Sequence, residues 1–173
     1  MKKLLSLLML SIIMMTSCEN TDQFDSDLRY AYLEATATYG ISGLVTSLIS
    51  ETWQKAIFEN KTPSGRYCND FNKALEELMD TMRVHNTLEQ IHTLKDQMQR
   101  ATSKLNDPPS SRQKCYDDFV SIVSDINALT RLATSPNGSL SSYRASVNET
   151  TENISKKIDD FNIKYSNYLG TKE

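Results

Sequence analysis

The chain has 173 residues, 19 basic against 22 acidic, a formal net charge of −3 and a 39% hydrophobic composition. A mildly acidic, well-mixed chain lacks the electrostatic footprint for nucleic acid or an anionic bilayer surface, and this length suits one domain with a single core. Five glycines and four prolines are too few for an all-β fold rich in tight turns, so long helices are expected.

At the N-terminus, Lys2 and Lys3 precede an apolar run from Leu4 to Met15 that only Ser6 and Ser11 interrupt. About a dozen residues cannot cross a ~30 Å hydrocarbon core, whereas a short basic region followed by a short apolar one reads as an export signal. Met15, Thr16, Ser17 and Cys18 then resemble a bacterial lipobox, with Met15 where leucine is usual. The resemblance implies cleavage before Cys18, acylation of Cys18 and a lipid anchor in the bacterial cell envelope, at the outer membrane or cell surface, with the periplasmic face as the alternative. Residues 1–17 are then the signal peptide, 18–27 an acidic tether and 28–173 the helical domain. The acidic stretch after Cys18 also resembles the surface-export signals of Bacteroidota lipoproteins.

The first helix is expected over about 24–60. Its stripe runs through Leu28, Ala31, Ala35, Ile41, Leu44, Leu48, Ile49, Trp53 and Ile57, with Gly40 and Gly43 marking a kink or a close helix crossing. Residues 61–65 (KTPSG) form a turn. A second helix starts near Asp70, with Cys68, Phe71, Leu75, Leu78 and Met82 on one seam and Leu88, Ile91, Leu94, Met98, Ala101 and Leu105 continuing it. His85, Asn86 and Thr87, of lower helix propensity, sit between the two halves and allow a bend. Pro108 and Pro109 end the helix.

The third helix has the cleanest pattern: Cys115, Phe119, Ile122, Ile126, Leu129 and Ala133 alternate by four and three. After a turn at 135–139, a fourth helix carries Leu140, Tyr143, Val147, Ile154, Ile158, Phe161, Tyr165, Tyr168 and Leu169. The fold expected is all-α, an antiparallel bundle of about four long helices.

Several segments, 53–57 (WQKAI), 70–74 (DFNKA), 105–109 (LNDPP), 116–117 (YD) and 132–143 (LATSPNGSLSSY), together resemble a group of small secreted bacterial lipoproteins. The group is helical and has no assigned biochemical role, so the resemblance implies a fold and a location but no catalytic residue.

Few residues offer chemistry. Cys68 and Cys115 remain after lipidation, in a compartment that permits disulfides. A bridge requires the second helix to fold back near Asn86, because a straight helix would separate its two ends by roughly 57 Å. Both cysteines also lie on apolar seams, where a free thiol acts as a small hydrophobe. His85, Glu89 and His92 are spaced i, i+4, i+7 and offer imidazole and carboxylate for a transition metal, with Glu152, Asp159 or Asp160 as further ligands. A solvated polar patch on the helix surface, or a hydrated defect where the seam shifts register, is the stronger reading of the three. No phosphate loop, nucleophile elbow or zinc-protease motif is present, so neither an enzyme nor a resident cofactor is expected. Two classes remain: a lipid-anchored interaction or scaffold module that binds an envelope protein or polymer, and a small ligand- or metal-binding lipoprotein. The eight tyrosines are expected mainly to pack at the bundle's core edge, and because one seam cannot absorb them all some amphipathic surface is left for contact, which favours the first class.

Overall fold

The computed structural model describes the backbone of residues 2–170 and the side chains of residues 21–170. Five helices follow one another: α1 (Lys2–Phe58), α2 (Phe71–Val84), α3 (Thr87–Ser103), α4 (Gln113–Thr134) and α5 (Leu140–Leu169), with a 3-10 turn at Ser110–Arg112. Among the described residues there is no β-strand, only an isolated antiparallel bridge between Lys61 and Tyr67. None of the described helices is long and apolar enough to cross a membrane.

α1 is the spine of this helical bundle and touches each of the other four helices. One core cluster joins Phe24, Leu28, Ala31 and Ala35 of α1 to Met98 and Ala101 of α3, Phe119 to Leu129 of α4, and Ile154, Phe161 and Leu169 of α5. A second joins Val45, Ile49 and Trp53 to Leu75, Leu78 and Met82 of α2, with Ile91, Ala133 and Tyr143. The expected α4 seam is buried throughout, from Cys115 to Ala133.

The expected second helix is two helices. Asn86 adopts a left-handed conformation, φ 58°, ψ 16°, which the backbone of a continuing helix cannot accommodate and which asparagine tolerates better than most residues. Helix α2 is capped at its start by Asp70, whose side chain accepts from the Asn72 amide. Helix α5 opens with a reciprocal capping box between Ser139 and Ser142 and ends at Gly170 in the left-handed region.

The stripe on α1 differs from expectation in its middle. Leu44, Leu48 and Ile57 face solvent, while Thr38, Ser42 and Thr46 are buried. Hydroxyls can go inside because each finds a partner: Thr38 Oγ1 donates to the Glu34 carbonyl at 2.7 Å, Thr46 Oγ1 to the Gly43 carbonyl at 2.9 Å, and Ser42 Oγ meets Thr130 Oγ1 at 3.0 Å. The helix continues through Gly40 and Gly43, and a Cβ at either would meet nothing within 4 Å. They mark neither a kink nor a close crossing within this chain.

Candidate functional site

Cys18 lies outside the residues whose side chains are described. Of the segment expected as a tether, Phe24 and Asp25 are built into the domain. Phe24 is buried, and Asp25 accepts two hydrogen bonds from Arg112, Nε to Oδ1 at 2.8 Å and Nη2 to Oδ2 at 2.9 Å. The folded core therefore begins at least as early as Phe24 rather than at Leu28.

The structure does not bring the candidate metal ligands together. Because Asn86 breaks the helix, His85 caps α2 while Glu89 and His92 belong to α3, and all three face solvent. Glu152, Asp159 and Asp160 sit on α5, which packs on α1 and α4. Among the described residues no group of three or more His, Cys, Asp or Glu side chains converges to hold a metal ion.

Cys68 and Cys115 are both free and buried, in separate clusters. Cys68 packs against Ala56 and Ala74, and its thiol donates to the Asp70 carbonyl. Cys115 packs in the core at the Phe24 end. The fold-back at Asn86 needed for a bridge is absent, because α2 and α3 together follow α1 from its Trp53 end to its Phe24 end. Burial, reinforced by the nearby Asp25 carboxylate, pushes the Cys115 thiol up to about 12, so it stays protonated and inert at neutral pH.

Most of the tyrosines pack at the core edge, as expected, and little of their surface is left for contact. Tyr32 stacks on Phe161 and donates to Asn162 Oδ1 at 2.7 Å; Tyr165 donates to Asp118 Oδ2 at 2.8 Å. Tyr168 lies under the Arg112 guanidinium at 3.9 Å, and Tyr39 pairs with Ser155. Only Tyr30 and Tyr67 remain among the well-exposed large side chains.

Among the described residues, three surfaces involve α1 or the loop that follows it. The outward face of α1 presents Leu33 and Leu44, 64% and 66% exposed, together with Leu48. Charge is absent from this helix between Glu34 and Glu51. A groove of about 370 Å³ beside that face separates Gly43, Thr46 and Ser47 of α1 from Arg144, Val147 and Thr151 of α5. At the Trp53 end, an open concavity of about 740 Å³ lies between the 61–70 loop and α2, lined by Arg66, Tyr67, Lys73, Glu76, Glu77 and Asp80 among others. The loop is clamped there: Glu77 accepts from the Ser64 amide at 3.2 Å and from Arg66 Nη2 at 2.7 Å. Hydrogen bonding from Ser64, then from Arg66, holds the Glu77 carboxyl at about 2.

The apolar face of α1 was present in the sequence as a 16-residue stretch, 35–50, without a charge. Its leucines read as core because hydroxyl residues were counted as polar. No family model, curated protein or solved structure matches this chain, so the side chains themselves carry the functional reading.

Proposed function

We propose that the protein is a lipid-anchored, non-enzymatic helical interaction module of the bacterial cell envelope. A lipid on Cys18 holds it to the membrane, and the outward face of α1 meets a macromolecular partner, an envelope protein or polymer. The reading rests on an up-and-down arrangement: α2 and α3 return along α1, α4 runs beside α1 in the same sense, and α5 returns again. That order puts the Trp53 end far from the anchor and leaves one side of α1 uncovered.

One observation carries the partner-binding part. Leu33, Leu44 and Leu48 stand exposed on the outward side of α1 while Leu28, Ala35, Ile49 and Trp53 of the same helix are buried, and exposed apolar area gathered on one side marks contact surfaces. The lipobox resemblance and the resemblance to small secreted lipoproteins support the location. The test is fractionation with intact mass determination of the parent chain and Cys18→Ser. Lipidation predicts a membrane-bound, acylated, shortened parent, and a Cys18→Ser chain that is released or remains an uncleaved precursor. Identical partition and mass for the two chains would remove the anchor.

A further inference from the structure

The outward face of α1 carries two stripes side by side. One is a ridge of Leu33, Ala37, Leu44 and Leu48; the other is a row of small residues, Thr36, Gly40, Gly43, Ser47 and Ser50, at alternating steps of four and three. A mid-helix glycine costs up to ~1 kcal/mol against alanine. Open space surrounds both Gly40 and Gly43, so no contact within this chain requires them. What they provide is room for a second backbone to approach. The small row also borders the groove whose far wall is Arg144, Val147 and Thr151 of α5.

Resting on the reading above that this face of α1 is a contact surface, we propose that the envelope protein it meets is a second copy of the chain, held across a parallel two-fold interface. Leu44 and Leu48 of each copy seat over Gly40, Gly43 and Ser47 of the other. The symmetry follows from the placement of the stripes on opposite flanks of one helix face. A two-fold axis along the helices sets ridge against row on both sides, whereas an antiparallel two-fold sets ridge on ridge and row on row. Beyond the uncharged stretch, Glu51 and Lys55 pair within each chain at 2.6 Å; two such pairs around the axis form a neutral ring of four charges. Leu33 to Lys55 is about 33 Å of helix, and a strip of that length covers on the order of 500 Å² per copy with the groove wall, near the lower end for specific contacts. The dimer is therefore weak in solution and is reinforced by the effective concentration of chains sharing a membrane. Parallel pairing puts both N-termini at one end, which suits that arrangement. This last point rests on the anchor proposed above; the fit of ridge to row does not.

The experiment introduces one cysteine at a time, Leu33→Cys, Gly40→Cys or Ser47→Cys, into the full chain in membranes, followed by mild oxidation. The parent chain, whose Cys68 and Cys115 are buried, is the control. Parallel pairing predicts a disulfide-linked dimer at all three positions, because residues 33, 40 and 47 are spaced seven apart and share the line where ridge borders row, nearest the two-fold axis, where each meets its own counterpart. A dimer at one position only, at none, or adducts only to a protein of different mass would overturn the proposal. Leu44→Glu placed on Gly40→Cys should reduce the dimer at least about tenfold without moving the unfolding midpoint; an undiminished dimer band would also overturn it. Repeating the scan on Cys18→Ser at raised protein concentration separates the two ideas. Three bands in Cys18→Ser, beside a parent chain that stays in the soluble fraction, keep the dimer and remove the anchor, whereas membrane association of the parent without bands does the reverse.

Discussion

Arg112 and Asp25 meet through two parallel hydrogen bonds at 2.8 and 2.9 Å, joining the start of α4 to α1 across 87 residues of sequence. Their side chains are only 17% and 15% exposed, and Tyr168 of α5 covers the guanidinium. Three elements are thus tied at the Phe24 end by one planar group. Arg112→Ala leaves the Asp25 carboxylate partly buried and unpaired, which should cost about 2–4 kcal/mol. Arg112→Lys should recover less than half, since an ammonium cannot make the bidentate contact or stack as well. Denaturant midpoints measure both; full rescue by lysine would show that charge alone matters there.

Phe119 and Ile126 are fully buried on the α4 seam. Truncating either to alanine should cost about 2–5 kcal/mol. Leu44→Ala, on the exposed face of the same bundle, should change stability by less than about 0.5 kcal/mol. Equal effects at Ile126 and Leu44 would mean that the two faces had been confused.

That contrast also shows what could be read in advance. The α4 stripe was legible because one narrow apolar face meets several helices, so every position on it is inside. The α1 stripe was legible at Leu28, Ala31, Ala35, Ile49 and Trp53, and in part at Ile41, which packs half-buried against the second cluster. In its middle the helices pack through Thr38, Ser42 and Thr46, whose hydroxyls are satisfied by helix carbonyls or by Thr130, and no hydrophobic period marks such positions. The core-edge place of the tyrosines was legible, but the hydroxyl partners that fix them there, such as Asn162 and Asp118, lie far away in sequence and were not. The His85, Glu89 and His92 spacing failed because it presumed an unbroken helix across Asn86.

Asn86 sets that break. In the left-handed region Asn86→Gly should be neutral or slightly stabilising, whereas Asn86→Val should cost about 1–2 kcal/mol. Adding one equivalent of zinc to the parent chain should leave the midpoint unchanged, because His85, Glu89 and His92 do not converge. A zinc-dependent rise that His92→Ala abolishes would restore the metal-binding class.

Acid should loosen the 61–70 loop before it unfolds the core. The Glu77 carboxyl is held at about 2, below its ordinary value near 4.5, so its clamp on Ser64 and Arg66 is fully present above about pH 4.5. The clamp weakens as pH falls toward 2, when the folded-state carboxyl itself takes a proton. The protection of the Ser64 amide, its exchange rate taken against the intrinsic rate at each pH, should fall over that window, and Glu77→Gln should show the lower protection already at neutral pH. A flat pH response in the parent chain would mean that the loop is held by other contacts.

The claim that α1 presents a contact face is tested most directly by photo-cross-linking in cells with the probe at Leu44, compared with the probe at Ile163, which is 80% exposed but lies on α5 away from the ridge. The account predicts discrete adducts at Leu44, weaker for Cys18→Ser, and none of comparable yield at Ile163. Adducts equal at the two sites, or absent at Leu44 in the membrane-bound chain, would contradict it.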